Sequence, residues 1–357
     1  MSTALIESPP GSVRANLRAA FASAPNIVLT LAALLGAGAV LIPVARWSLI
    51  DARWSGTAAD CRARGVGACW AFIGHKLPFI LFGLYPAAER WRPALATTLL
   101  LAVVLASLVP FCWRRSLILA WIVGLVGFLW LMGGGLWLSP VPTQDWGGFP
   151  VTAMLTVIGL ALGFPLGVLL ALGRRSHYAV PRLTASAIVE VVRGVPLVAV
   201  LYLAVLVVPL ALSTGVDVDK LVLAQGGIAV FAGAYLAEAV RAGLQMVPAA
   251  RADAARALGL TWWQATRLVV LPEALRIVVP SFVSIAVGFF QDTSLIVIIG
   301  LFDLLNTARL AAQDPDWLGF HTEAYVFVGL LYFVISALVS RYGLWVERRL
   351  GASTRRA

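Results

Sequence analysis

Four charged side chains lie inside long apolar stretches of the sequence, in two pairs. Glu190 comes three residues before Arg193, and Glu238 comes three residues before Arg241. Residues three apart share one face of a helix, so each pair has the spacing of an intrahelical ion pair. A charge inside hydrocarbon is costly unless it is paired or hydrated. The two pairs are therefore either ion pairs that fix helix packing, or the border of a translocation pathway with an inner gate.

A run of four polar residues interrupts another apolar stretch, and it consists of Gln291, Asp292, Thr293 and Ser294. Such a run is costly against lipid, so it must line a cavity or contact another helix. In a cavity, Asp292 would accept hydrogen bonds from an ammonium group, and the other three side chains would help to bind a carboxylate. Alternatively, Thr293 and Ser294 bond to carbonyls one turn earlier and bend the helix.

The elements that position these residues must be membrane helices. The chain has 357 residues, of which 61% are hydrophobic and 12% are charged, and its mean hydropathy is +0.91. A soluble domain carries about 25% charged residues, and a soluble fold could not bury this excess of apolar residues. The composition predicts an all-α integral membrane protein. It excludes a cytosolic enzyme, a disordered scaffold and a disulfide-rich mini-protein.

The net charge of +10 is typical of membrane topology and does not indicate nucleic-acid binding, because the arginines punctuate apolar runs. The two lysines, Lys76 and Lys220, do not follow glycine, so the chain lacks a phosphate-loop motif. We therefore expect no cofactor in this chain and ATP bound by a partner. The three histidines are scattered along the sequence, and no metal site is predicted.

Apolar stretches of about 17–25 residues, long enough to cross a membrane, occur eight times. They are 27–45, 94–111, 116–138, 151–172, 184–210, 222–243, 277–300 and 323–342. With both termini inside, 17 arginines lie on the inner side, and the short outer loops hold only Lys220 and Arg309. The excess of inner arginines predicts an N-in, C-in orientation. The resulting parts are an inner tail 1–26, a first span 27–45, an outer loop 46–93, spans two and three in 94–138, a core 150–345 and an inner tail 346–357.

The outer loop 46–93 holds two features of its own. Its stretch from Trp70 to Pro86 is apolar but interrupted by charged residues and a proline, which favours an interfacial or re-entrant segment over a ninth span. Cys61 and Cys69 lie in the same loop. An outward compartment permits a disulfide between them, and the alternative is two free thiols.

The inner loop after the sixth apolar stretch has the pattern of two short helices. An Ala- and Arg-rich run, 249–258, favours a helix, and Gly259 is placed to end it. A threonine is placed to cap a second run, 261–270, which we expect Leu271 and Pro272 to break. The helix pair is either a docking surface for a soluble partner or an amphipathic element resting on lipid.

The residues of this loop resemble those of the permease subunits of bacterial ATP-binding-cassette importers. In that family a cytoplasmic loop with the pattern E-A-A, a later Gly and a later Leu-Pro docks on the ATPase. The matching residues here are Asp253, Ala254, Ala255, Gly259, Leu271 and Pro272. Asp253 stands where the family usually has Glu, so a salt bridge to the ATPase is expected to be weaker or to reach a nearer partner.

The likeness narrows to the polar-amino-acid branch, through the stretches 192–197, 234–238 with Arg241, and 291–295, and it covers roughly 150–345. The segments 67–70, 83–86 and 89–92 are similar to the general L-amino-acid permease subunit. The family often has Lys before the aspartate of the third stretch, where this chain has Gln291, so one positive charge near the expected pathway is missing.

This resemblance implies a type I importer core of five helices with a cytoplasmic coupling-helix loop at 249–271. It implies alternating access in a bacterial inner membrane. The implied partners are a homologous second permease in a heterodimer, two ATPase subunits that bind Mg-ATP, and a periplasmic amino-acid-binding protein. The implied substrates are polar L-amino acids such as glutamate, glutamine, aspartate and asparagine.

The rival hypothesis is an ion-coupled secondary transporter, which would also use carboxylates such as Asp292 or Glu238. Such a transporter predicts inverted repeats, and no convincing repeat relates 94–210 to 222–342. It also leaves the helix pair of the inner loop without a role. An intramembrane enzyme is a more distant alternative, because the spans contain no pairing of a nucleophile with a histidine.

Overall fold

The computed structural model describes residues 20–63, 65–112, 114, 116–211 and 218–354, in two compact units that divide between His75 and Lys76. Its α-helices are α1 Ala24–Ala45, α2 Ala58–Cys61, α3 Trp70–Phe82, α4 Trp91–Leu108, α5 Ser116–Gly133, α6 Phe149–Arg174, α7 Ala179–Gly194, α8 Leu197–Tyr202, α9 Val208–Ala211, α10 Lys220–Met246, α11 Ala249–Ala257, α12 Trp262–Ala265, α13 Leu271–Ile277, α14 Val279–Asp292, α15 Leu304–Ala311 and α16 His321–Thr354. Two short strands, β1 Gly147–Gly148 and β2 Phe302–Asp303, accompany them.

Seven helical segments of the described chain are long and apolar enough to cross a membrane. They are Ala24–Ile50, Ala87–Leu108, Ser116–Gly133, Phe149–Arg174, Lys220–Met246, Val279–Ile299 and His321–Arg348. An eighth crossing is formed when the bent pair of segments Ala179–Gly194 and Leu197–Ala211 is counted as one span. The prediction of an all-α membrane protein with about eight spans is confirmed. Helix α16 runs on to Thr354, into the predicted inner tail 346–357, and most of the predicted tail 1–26 lies outside the described residues.

The fifth predicted span, 184–210, is strongly bent. Its two halves meet at an angle of 108°. Helix α7 ends at Gly194, and Val195 is extended, with φ −106° and ψ 137°, directly before Pro196. A residue that precedes proline is pushed out of the helical region by the proline ring. The bend leaves Arg193 in the last turn of α7, beside an opening in the fold.

Helices α6 and α10 form the centre of the second unit. Three glycines of α6, Gly159, Gly163 and Gly167, recur every four residues and face α10. A Cβ at Gly163 would lie 2.8 Å from the Cβ of Ala232, and a Cβ at Gly167 would lie 2.8 Å from the Cβ of Leu236. Small residues allow membrane helices to approach this closely and to gain packing energy.

A short parallel strand pair joins the start of α6 to the segment before α15. Gly147 pairs with Phe302, and Gly148 pairs with Asp303. Gly148 has φ +71°, and a Cβ there would lie 2.1 Å from the Leu81 carbonyl oxygen, so only glycine fits. Asp303 is fully buried and accepts a hydrogen bond of 2.9 Å from the backbone N–H of Asn306, which caps α15. Burial raises the pKa of the Asp303 carboxyl.

Helix α3 has 13 residues, fewer than the roughly 17 that a membrane crossing needs. The interfacial or re-entrant reading therefore suits it better than a ninth span. The second half of α3 contacts the core, because the Thr307 hydroxyl donates a 2.7 Å hydrogen bond to the Ile80 carbonyl oxygen. The Lys76 ammonium also lies 2.6 Å from an Asp314 carboxylate oxygen. This contact holds the pKa of Asp314 below its usual value.

The first unit contains α1 and the folded segment that follows it. Helix α1 is uniformly apolar and buries none of its residues. Cys61 and Cys69 are joined by a disulfide with their Cα atoms 5.6 Å apart. The structure thus has the predicted disulfide and not two free thiols. The Trp70 ring packs between Trp47 and Trp54, and its indole N–H donates a 2.7 Å hydrogen bond to the Ser48 carbonyl oxygen.

Candidate functional site

A cavity of about 660 Å³ lies beside the bend between α7 and α8. Its walls come from this bend, from α10 and from α14, and most of its lining is apolar, including Phe231 and Phe289. Arg193 and Asp292 also line it. Arg193 and Asp292 belong to separate stretches of the sequence that are both predicted to line a pathway, and they face the same cavity. They give it one positive and one negative group, which suits a zwitterionic ligand.

The charged residues predicted on α7 and α10 form one network across three helices. Glu238 of α10 accepts a 2.8 Å hydrogen bond from Arg174 at the end of α6 and also pairs with Arg241 one turn along. Arg193 of α7 lies 3.4 Å from the same Glu238 carboxylate. Glu190 lies 3.7 Å from Arg174.

One of the two intrahelical pairs expected from the spacing is therefore corrected. Glu238 pairs with Arg241 as expected, but Glu190 and Arg193 take partners on other helices. The bend places Arg193 near the Glu238 carboxylate of α10, and the end of α6 places Arg174 near Glu190. The network ties α6, α7 and α10 together.

Arg193 is held on two sides. Its guanidinium carbon lies 5.3 Å from the centroid of the Tyr235 ring, in a cation–π contact. Tyr235 itself lines the cavity. Because α7 ends one residue later, at Gly194, the side chain stands at the mouth of the bend, between the cavity and the network around Glu238.

The four residues of the polar run 291–294 differ in what they contact: Asp292 faces the cavity, and the other three side chains bond to groups in helices. Asp292 ends α14 and lines the cavity, and it makes no hydrogen bond or ion pair within the part of the chain that the structure describes. The Thr293 and Ser294 hydroxyls donate hydrogen bonds of 2.8 Å and 2.9 Å to carbonyls three residues earlier. Gln291 donates a 3.3 Å hydrogen bond to the Ser336 hydroxyl.

Of these four residues only Asp292 faces this cavity, so a pathway role for Gln291, Thr293 and Ser294 stays a prediction. The hydroxyls satisfy their own backbone instead, which was the alternative reading. The backbone tightens from α14 into a 3₁₀ segment at Thr293–Ile299. Gln291 and Thr293 contact α16, at the Ser336 and Tyr332 hydroxyls.

The inner loop contains the two short helices expected from the sequence. Helix α11 spans Ala249–Ala257, and Gly259 ends it with φ +84°, a left-handed conformation that favours glycine. The Thr261 side chain then caps α12, accepting from the Gln264 backbone N–H while the Gln264 side chain accepts from the Thr261 N–H. This reciprocal capping box fixes the turn between the two helices.

The predicted break at Leu271 and Pro272 is wrong. Helix α12 continues through a π-helical turn, Thr266–Val270, directly into α13, so Pro272 lies in the first turn of a helix. Proline is tolerated there because its missing N–H is not needed. The helix ends at Val278 instead, before Pro280 and the start of α14.

The loop presents an exposed face. Asp253 and Ala254 are exposed, whereas Ala255 is buried beneath them. Asp253 pairs with Arg256 one turn along the same helix. Leu258 is 84% exposed beside Gly259. An exposed apolar tip flanked by charges suits contact with a soluble protein.

Two functional residues were missed by the sequence reasoning. Arg174 was counted only as a topology-setting arginine, although it is the strongest partner of Glu238 outside its own helix. Glu273 lies 3.7 Å from Arg251 and links α13 to α11. The sequence signal for Arg174 is its position at the end of an apolar stretch, where it can reach a carboxylate of a neighbouring span such as Glu190 or Glu238.

Comparison with known proteins places the chain in a family. The profile of the family described as "Binding-protein-dependent transport system inner membrane component" matches residues 163–352. The chain belongs to this family. This transport-system component is therefore a multi-pass inner-membrane protein, and the expectation of an importer permease subunit is confirmed.

Two relatives of this transport-system component match it over more than nine-tenths of its length. "Inner membrane amino-acid ABC transporter permease protein YhdY" of Escherichia coli strain K12 is 40% identical over 345 residues, covering 94% of this chain and 92% of the relative. "Glutamate/glutamine/aspartate/asparagine transport system permease protein BztC" of Rhodobacter capsulatus is 30% identical over 401 residues, covering 92% of each chain. The alignment with the first relative leaves 6% of 357 residues, about 21, unmatched. The segment 46–93 is longer than this remainder, so it is at least partly shared.

A solved structure supports the core fold. "Crystal structure of an amino acid ABC transporter with histidines" matches 57% of this chain and 92% of its own chain, with 28% sequence identity and a TM-score of 0.50. The match supports a transmembrane core of the ABC-importer type. Subunits of this family are permeases and not the catalytic ATPase, and they work with ATPase and substrate-binding partners.

Proposed function

We propose that the chain is the permease subunit of an ATP-driven importer for polar L-amino acids of the glutamate, glutamine, aspartate and asparagine group. It forms half of the translocation pathway and couples ATPase closure to alternating access. The proposal rests on the family and on the names of its long relatives, one of which is a glutamate, glutamine, aspartate and asparagine permease. Neither of the two long relatives is named as an ion-coupled transporter.

The observation that carries the substrate assignment is the cavity with two opposite charges. Arg193 binds the α-carboxylate of the amino acid, and Asp292 accepts hydrogen bonds from its ammonium group. The lining also includes the hydroxyl group of Ser284 beside aromatic rings. A volume of about 660 Å³ leaves room for a polar side chain. Recognition of the shared α-amino-acid group explains a broad substrate range.

The coupling element is the loop 249–271, which follows α10, the helix that carries Glu238. The coupling residues are Asp253, Ala254, Ala255, Gly259, Leu271 and Pro272, of which Ala255 is buried and supports the exposed face from beneath. Because α12 and α13 are continuous with each other, a push on the tip at Gly259 travels along this rod to its end at Val278, where α14, the helix that ends at Asp292, begins. Arg251 and Glu273 brace that rod against α11.

The working assembly contains a homologous second permease, two ATPase subunits that hold Mg-ATP, and a periplasmic amino-acid-binding protein. We assign the coupling loop and both termini to the cytoplasmic side, because most of the arginines then lie inside. The disulfide between Cys61 and Cys69 suits the oxidising outer side.

Co-purification of the chain with its ATPase tests the coupling assignment. We expect wild type to retain the ATPase and Gly259→Asp to lose it or to lose ATP turnover in the complex. Gly319→Asp is the matched control, because Gly319 also has a positive φ, +105°, and open space around it, but lies in a predicted outer loop. Normal docking and turnover of Gly259→Asp would remove the loop from the coupling path.

A further inference from the structure

Glu238 contacts more cationic side chains than its single negative charge can neutralise. Arg174, Arg193 and Arg241 all contact it. The second carboxylate of the network, Glu190, reaches only Arg174, at 3.7 Å, and its side chain is 70% exposed. Three arginines against two glutamates leave one positive charge in excess. A surplus cation beside a membrane cavity is stabilised by an anionic ligand.

The three arginines are not held equally. Arg174 donates a 2.8 Å hydrogen bond to Glu238, and Arg241 donates from two nitrogens of its guanidinium. Arg193 approaches Glu238 only to 3.4 Å, as an ion pair. If Arg193 leaves, Glu238 keeps two hydrogen-bonded partners. Arg193 is therefore the member of the network that moves at the lowest cost.

Arg193 is also the member of the network that faces the cavity. Both Arg193 and Tyr235, over whose ring it stacks, belong to the cavity lining, whereas Arg174, Glu238 and Arg241 do not. The Arg193 side chain is 39% exposed. A change of side-chain conformation, with no movement of the backbone, can carry the Arg193 guanidinium from the Glu238 carboxylate into the cavity.

We propose that Arg193 exchanges partners during transport: Glu238 holds it in the empty cavity, and the substrate carboxylate takes it when substrate binds. One ion pair breaks, another forms, and no covalent bond changes. The exchange releases the direct tie between α7 and α10, so cavity occupancy is reported to α10, which ends at Met246 shortly before the coupling loop. This inference rests on the proposed amino-acid substrate.

The test is direct binding of radiolabelled L-glutamine to the detergent-purified permease–ATPase complex without the receptor. Glu238→Gln removes the competitor for Arg193, so we expect about fivefold tighter binding, the worth of a partly exposed ion pair. Arg241→Gln frees Glu238 to hold Arg193 more strongly, so we expect weaker binding. Asp314→Asn is the matched control and should bind like wild type, because it also removes a carboxylate from an ion pair, with Lys76, but lies outside the network and the cavity lining.

Opposite shifts in the two variants distinguish exchange from a general loss of structure, which would weaken both. Unchanged or weaker binding by Glu238→Gln in an assembled complex would overturn the exchange. If that variant does not assemble, unchanged or tighter binding by Arg241→Gln overturns it instead. Failure of the wild-type complex to bind L-glutamine, L-glutamate, L-aspartate and L-asparagine would contradict the proposed function itself.

Discussion

At the scale of single residues, Asp292 has the clearest role to test. It is a partly buried carboxylate on the cavity wall, and it makes no hydrogen bond or ion pair among the described residues. A carboxylate in this position is costly unless a cation or water reaches it. The ammonium group of an amino acid would supply that cation, whereas the hydroxyls beside it already have backbone partners.

We predict that Asp292→Asn raises the KM for ATP-driven uptake of L-glutamine by about ten- to a hundredfold, because a hydrogen bond to a charged group contributes about 1.5–3 kcal/mol. Uptake kinetics in proteoliposomes provide the measurement. Ser294→Ala is the control, since its hydroxyl bonds to the Gln291 carbonyl within its own helix. A KM for Asp292→Asn equal to that of wild type would exclude this carboxylate from the binding site.

At the scale of elements, the left-handed turn at Gly259 decides the angle between α11 and α12. A side chain at this position is strained even though the space around it is open. We predict that Gly259→Ala costs about 1 kcal/mol and speeds hydrogen exchange of the backbone amides in the loop. Gly226→Ala, in the interior of α10 with open space, should not change exchange there. Equal exchange in both variants would show that the turn is not under conformational constraint.

The contact between α3 and the segment before α16 has a defined pH dependence. Hydrogen bonding to Lys76 lowers the pKa of Asp314 from 3.8. A lowered carboxyl pKa in the folded state stabilises the fold at pH values above the unfolded pKa, and this contribution is lost as pH falls through the lower, folded value. We predict that Lys76→Gln lowers the melting temperature at pH 7, and that its difference from wild type disappears well below pH 3.8. A difference that persists in acid would point to packing by the lysine stem.

Sequence patterns predicted the helices well and their tertiary partners poorly. Hydropathy located the spans, because a membrane helix must be apolar over its length. Gly259 and Thr261 located the turn of the inner loop, because capping is local. The pattern could not show that Arg193 pairs across helices, because that depends on the bend at Val195. It also missed the helical path through Pro272, since the effect of a proline depends on where the helix begins.

At the scale of the whole molecule, the chain combines a transport core with a compact N-terminal unit. The family profile covers residues 163–352, and the disulfide lies far outside it, in a unit that ends at His75. The long relatives share most of the chain. Stability of the N-terminal unit and function of the core should therefore be separable.

We predict that Cys61→Ser destabilises the N-terminal unit by about 2.5 kcal/mol, the entropic value for a loop closed over a sequence separation of 8 residues. Protease cleavage within 46–75 should become faster, while binding of the ATPase stays unchanged. Cys112→Ser is the control, because Cys112 is a free cysteine in the core unit. Loss of ATPase binding in Cys61→Ser would contradict the independence of the two units.

The most direct test of the account is uptake of radiolabelled L-glutamine into proteoliposomes that contain the permease pair and its ATPase, with ATP on the side of the coupling loop and the binding protein on the other. We predict uptake that requires the ATP, the ATPase and the binding protein together, and that is abolished by Gly259→Asp. Uptake by this chain alone, driven by an ion gradient without ATP, would contradict it.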